Sequence, residues 1–144
     1  MDVNLFGQEL SMCEISEIAR RTSNQRDNQD WHRIRASRLT ASQFGEAIEA
    51  IEKNRVESFI KSWIKPFTPN KAMLYGIQNE TKAIQAYQRA TGFRVEQTGI
   101  WLFPNRVLGA SPDGLVHCSE HDDKPSGILE VKYPYTLLLN QRIK

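Results

Sequence analysis

The sequence has 144 residues, 40% of them hydrophobic and 25% charged, and a formal net charge of +2. These values describe a folded chain of one domain, with a modest core and little room for a multilayer enzyme. They exclude a low-complexity chain, and the net charge does not by itself announce a polyanion partner. There is no signal peptide and no long apolar run, and Cys13 and Cys118 lie far apart, so a reduced, intracellular protein with structural thiols and no membrane attachment is expected. His32, His117 and His121 show no zinc-ligand spacing with those cysteines.

Residues 1–30 read as a polar extension with one weakly helical patch at Ile15, Ile18 and Ala19, an appendage to a core running from 31 to 144. From Arg20 to Arg38 the chain carries six arginines against two aspartates, which fits either a solvated surface or a phosphate-binding one. After Trp31-His32-Arg33-Ile34-Arg35, the pair Thr40 and Gln43 has the form of a capping box and starts a helix with Phe44, Ala47, Ile48 and Ile51 on one face. The start of that helix, with Ser42, Arg35 and Arg38 close in sequence, is a candidate phosphate pocket; ordinary capping beside two exposed arginines is the alternative. A second helix begins near Asn54, and Val56, Phe59, Ile60, Trp63 and Ile64 are expected in the core; Lys65-Pro66 and Pro69 end it.

The strongest helix is predicted from Ala72 to Ala90, with Thr91-Gly92 as its stop. Met73, Ile77, Ile84 and Tyr87 form its apolar stripe, and Glu80 falls in the middle of it. A carboxylate there is costly unless it is paired or bound to a metal. Strands follow at Phe93-Arg94-Val95, Gly99 to Phe103, Val107 to Ala110, Leu115 to Cys118 and Ile128 to Lys132, with a polar loop from Ser119 to Ser126.

Glu130 and Lys132 stand two residues apart in the last strand and share one face, while Leu129 and Val131 share the other. A hairpin from Ser111-Pro112-Asp113-Gly114 to Leu129-Glu130-Val131-Lys132 brings Asp113 to the same edge. Two carboxylates and a lysine then converge, a set suited to a hard divalent cation and a phosphate ester. Asp113, Glu130 and Glu80, with the Val131 carbonyl, supply enough oxygen ligands for magnesium. Lys132 then either orients and helps deprotonate a water or stabilises charge on the phosphate.

The Asp113 and Glu130-Val131-Lys132 arrangement resembles the PD-(D/E)xK nuclease motif. Trp31-His32-Arg33-Ile34-Arg35, Leu39-Thr40-Ala41-Ser42, Tyr75-Gly76 with Glu80, Ser111-Pro112-Asp113-Gly114 and Leu129 to Pro134, in that order, resemble the phage lambda exonuclease or YqaJ-type viral recombinase family. The resemblance implies an α/β, restriction-endonuclease-like core with a central mixed β-sheet flanked by helices. It also implies a magnesium-dependent (or manganese-dependent) exonuclease that degrades one strand of duplex DNA from its 5′ end and works with a single-strand annealing protein, often as a homo-oligomeric ring. Its setting is intracellular: nucleus, bacterial cytoplasm or a viral host. By this resemblance Asp113, Glu130 and Glu80 are metal ligands, Lys132 is the catalytic lysine, and Arg35, Ser42 and Ser111 hold the 5′ phosphate.

Tyr133 stands where the family commonly has cysteine. The chain runs only twelve residues beyond Lys132, so a C-terminally truncated core is expected, with Asn140-Gln141 as the start of the family's next helix. Two other readings follow: a non-catalytic fragment that binds DNA ends, and an endonuclease of the same fold.

Overall fold

The computed structural model describes residues 7–63, 68–119, 121 and 123–134. In chain order they form α1 (Met12–Arg21), α2 (Gln29–Ala36), β1 (Leu39–Thr40), α3 (Phe44–Glu52), α4 (Val56–Trp63), α5 (Lys71–Thr91), β2 (Arg94–Glu96), β3 (Trp101–Leu102), β4 (Leu108–Ala110), β5 (Gly114–His117) and β6 (Gly127–Leu129). Short 3-10 turns at Gln25–Asp27 and Ala41–Gln43 precede α2 and α3. This is the expected mixed α/β class. The strands hydrogen-bond as two three-stranded sheets, β1-β4-β3 and β2-β5-β6, within two compact units: Met1–Lys65 with Gln97–Pro112, and Pro66–Glu96 with Asp113–Lys144. Where the chain passes from β2 to β3, Gly99 donates its N–H to Ala19 O at 3.0 Å and Ile100 donates to Thr22 Oγ1 at 3.0 Å. Those groups are thereby spent outside any sheet ladder.

In the first unit, Leu10, Ile15 and Ala19 of the expected extension are buried. Ser11 and Glu14 form a capping box that starts α1. Ile15 and Leu10 are buried with Trp31, Ile100 and Leu102, and Ile18 and Ile34 pack against them. Ile15, Ile18 and Ala19 lie on one face of that capped helix, and Leu10 precedes its cap. A Cβ on Gly99 would collide with Thr22, so glycine is what lets this segment lie against the end of α1. β1 runs parallel to β4, with Thr40 opposite Gly109, and β3 runs antiparallel to β4. The expected core positions Val56 and Ile60 are exposed among the described residues, as are Phe44, Ile48 and Ile51. α3 and α4 pack on each other, and it is Ala50 that α3 buries. Ile64 lies outside the described residues.

In the second unit, the Asn70 side chain accepts the Met73 N–H at 2.9 Å to start α5. Gly92, in left-handed conformation with φ 74°, ends it. Ile77, Glu80, Ile84 and Tyr87 are half-buried as the stripe predicted, but Met73 is exposed and the buried polar residue is Asn79. The Gln88 side chain accepts the Val95 N–H at 2.8 Å and so joins the end of α5 to β2. β5 lies antiparallel between β2 and β6, with Gly114 opposite Leu129. A Cβ on Gly114 would run into the Val95 side chain, which explains glycine after Asp113. Both cysteines are free and exposed. No helix among the described residues is long and apolar enough to cross a membrane.

Candidate functional site

The hairpin between β5 and β6 places Asp113 where the sequence spacing required it. Asp113 donates its N–H to Leu129 O at 3.0 Å, and its Oδ2 accepts the Val131 N–H at 2.6 Å. The second bond ties the carboxylate to the backbone of the segment that carries Glu130 and Lys132. β6 itself ends at Leu129, one residue before that pair, so the strand is shorter than predicted. The alternation persists beyond it: Leu129, Val131 and Tyr133 are half-buried while Glu130 and Lys132 are exposed. On that exposed face Lys132 Nζ donates to Glu130 Oε1 at 2.6 Å.

Electrostatics bring the fourth member in. Burial pushes the Asp113 carboxyl above its ordinary pKa, and the negative charges of Glu130 and Glu80 push it further; the Val131 N–H and the Lys132 ammonium act the other way. Glu80, on α5, therefore stands close enough for its charge to be felt at Asp113. Lys132 is shifted upward, first by its hydrogen bond to Glu130 and then by the charges of Glu130 and Asp113, against a smaller effect of desolvation. Near neutral pH it is an ammonium.

The donor set is oxygen-only and carries excess negative charge around Asp113, which fits a hard divalent cation. Asp113, Glu80 and Glu130 are the residues that would hold one. In the arrangement described, Glu130 is turned to Lys132, and among the described residues no three His, Cys, Asp or Glu side chains already form a metal-holding group. The Val131 N–H is bonded to Asp113 Oδ2.

The candidate phosphate residues all belong to the first unit. Ser42 and Ser111 each lie two residues beyond a matched pair, Thr40 and Gly109, on parallel strands β1 and β4, so both leave the same end of the sheet. Ser42 Oγ is 3.1 Å from Thr40 Oγ1. Thr40 donates its N–H to Gln43 Oε1 at 3.2 Å, as the capping pattern predicted. Trp31 Nε1 donates to Ser111 Oγ at 3.0 Å, and the Arg35 guanidinium lies 4.3 Å from the centre of the Trp31 ring. Burial, and then the charge of Arg26, lower the Arg35 pKa from its ordinary value. Arg38 is turned elsewhere: its NH1 donates to Ile34 O at 3.0 Å and to Ser37 Oγ at 2.9 Å, and so caps the end of α2.

Sequence reading missed Gln25, placed in the supposed appendage. Its Nε2 donates to Thr98 O at 2.8 Å and to Pro112 O at 2.9 Å, holding the chain just before Asp113. No spacing rule singles out such an amide. His117 was also passed over: it is buried, with Nε2 2.9 Å from Glu96 Oε2. Only its register opposite Arg94 could have hinted at this pairing.

Among solved structures the chain is similar to an alkaline exonuclease, LHK-Exo, from Laribacter hongkongensis, at 28% identity and a TM-score of 0.58. It is likewise similar to LHK-Exo in complex with dAMP, at 25% identity and a TM-score of 0.58. In both comparisons 81% of this chain is covered, and it spans 58% of the length of the other. Residues 30–144 match the YqaJ-like viral recombinase domain, and the chain belongs to that family. No curated protein sequence matches it.

Proposed function

We propose that this chain is the core of a magnesium-dependent DNA exonuclease that removes one strand of duplex DNA from its 5′ end, in recombination or DNA-end processing inside the cell. The observation that carries this reading is the Asp113 cluster: one carboxylate fixed by the Val131 N–H, two further carboxylates acting on it, and an ammonium on the adjoining exposed face. Family membership and the likeness to an alkaline exonuclease support it.

Asp113, Glu80 and Glu130 would hold magnesium or manganese, with the Val131 carbonyl as a further ligand. The ion, when bound, supplies Lewis-acid neutralisation at the scissile phosphate. In the structure Glu130 is bonded to Lys132, and it would have to turn from that partner to hold an ion. Lys132 either stabilises charge on the phosphate or orients and helps deprotonate the attacking water. Arg35, Ser42 and Ser111 hold the terminal 5′ phosphate. The single strand left behind is the substrate of an annealing protein, the expected partner.

The test is degradation of linear duplex DNA by the purified protein in magnesium. Loss of activity in Asp113→Ala and Lys132→Ala supports the reading; equal degradation by both variants contradicts it. A second reading is a non-catalytic binding module. In that reading it binds DNA ends without turnover, and salt-sensitive binding with no cleavage distinguishes it. Cleavage of covalently closed circles would instead mark an endonuclease.

A further inference from the structure

We infer that Trp31 is a positioning residue for recognition of a terminal phosphate, presetting Arg35 with the face and Ser111 with the edge of one indole. The inference rests on the phosphate-pocket reading above and assigns a role to a residue that makes no contact with phosphate in it.

Trp31 is 8% exposed and belongs to the core of the first unit. Its ring edge donates the Nε1 proton to Ser111 Oγ at 3.0 Å. A hydroxyl oxygen that accepts a hydrogen bond there has its own proton directed elsewhere, so the Ser111 O–H is left to donate to an anion. The ring face lies 4.3 Å from the Arg35 guanidinium carbon. Stacking covers one face of that guanidinium and leaves its in-plane N–H groups, the ones that match phosphate oxygens, for the ligand.

The placement also answers a physical difficulty. Arg35 is half-buried with Arg26 acting on it as a like charge, an environment that disfavours a cation. The π face of Trp31 offsets part of that cost without using up any N–H donor. Arg35 and Ser111 are 76 positions apart in the chain, and Trp31 is the side chain that touches both.

Trp31→Phe keeps a ring under Arg35 and removes only the donor to Ser111. Binding of duplexes with 5′-phosphate or 5′-hydroxyl ends is measured in EDTA, so hydrolysis is not required. The expected result is a fall of about fivefold to tenfold in the ratio of the two affinities, roughly the value of one neutral hydrogen bond. In a Ser111→Ala background the same substitution is expected to add no further loss, the signature of two groups acting as a unit. Circular dichroism checks that each variant is folded, and Trp31→Leu, which also removes the stack, is expected to lose more of the ratio. An unchanged ratio in Trp31→Phe, or losses that simply add to those of Ser111→Ala, overturns the inference while leaving the phosphate pocket in place. No preference for phosphorylated ends in the unsubstituted protein overturns the pocket reading and the inference with it.

Discussion

In the second unit Glu130 and Lys132 face solvent, held by each other and, through the Val131 N–H, by Asp113. In the first unit Ser111 and Arg35 are held by a buried indole. The first arrangement follows from chain spacing over a few residues of one hairpin. The second needs a helix and a strand end, 80 positions apart at Trp31 and Ser111, to pack before it exists. On the proposed function, charges in the exposed cluster are costly to remove for catalysis and cheap for folding. At the indole the two would be coupled, because the proposed positioning residue is also a core residue.

That contrast sets the order of expected effects. Asp113→Asn should lower the rate of duplex degradation by about a thousandfold or more, since it removes a charge at the centre of the cluster. Lys132→Met should lower kcat by about a hundredfold to a thousandfold with KM nearly unchanged, as expected for a group that acts on charge in the transition state. If instead KM rises and kcat holds, Lys132 is a binding residue and the division of labour fails. Arg35→Ala should raise KM for 5′-phosphorylated ends by about tenfold to a hundredfold, the value of a charge-assisted hydrogen bond, with a smaller effect on 5′-hydroxyl ends.

The smallest effect is on stability. The Asp113 carboxyl is raised above its ordinary pKa, first by burial and then by Glu130 and Glu80. The folded state therefore binds this proton more readily than the unfolded state. The contribution of Asp113 to stability falls as pH rises from the ordinary aspartate range through the raised value. Asp113→Asn removes that penalty, so its melting temperature relative to the unsubstituted protein should shift slightly upward as pH rises through that window. A relative shift downward contradicts the reading of Asp113 as a strained carboxylate.

What was legible in the sequence follows the same contrast. The two-residue period put Glu130 and Lys132 on one face, and the hairpin put Asp113 beside them; both follow from local geometry. The end of α5 at Gly92 was readable from capping chemistry, while its Asn70 cap was not singled out. Less readable was the role of α1, because a short helix with exposed Met12 and Glu14 looks polar until its partners Trp31 and Ile100 are in place. Gln25 and the indole of Trp31 act through contacts spanning 73 to 87 positions, and no local pattern encodes these. Val56 and Ile60 erred the other way: helical spacing marks an apolar face but does not say that anything covers it. The expected helix start at Asn140-Gln141 lies outside the described residues.

The central claim is that the Asp113 cluster hydrolyses DNA from a phosphorylated end. The most direct measurement follows mononucleotide release from linear duplex carrying a 5′ phosphate, with magnesium, for the protein and for Asp113→Asn. Steady release by the unsubstituted protein, stopping in EDTA and lost in Asp113→Asn, is the expected result. Release that continues at the same rate in Asp113→Asn would contradict it.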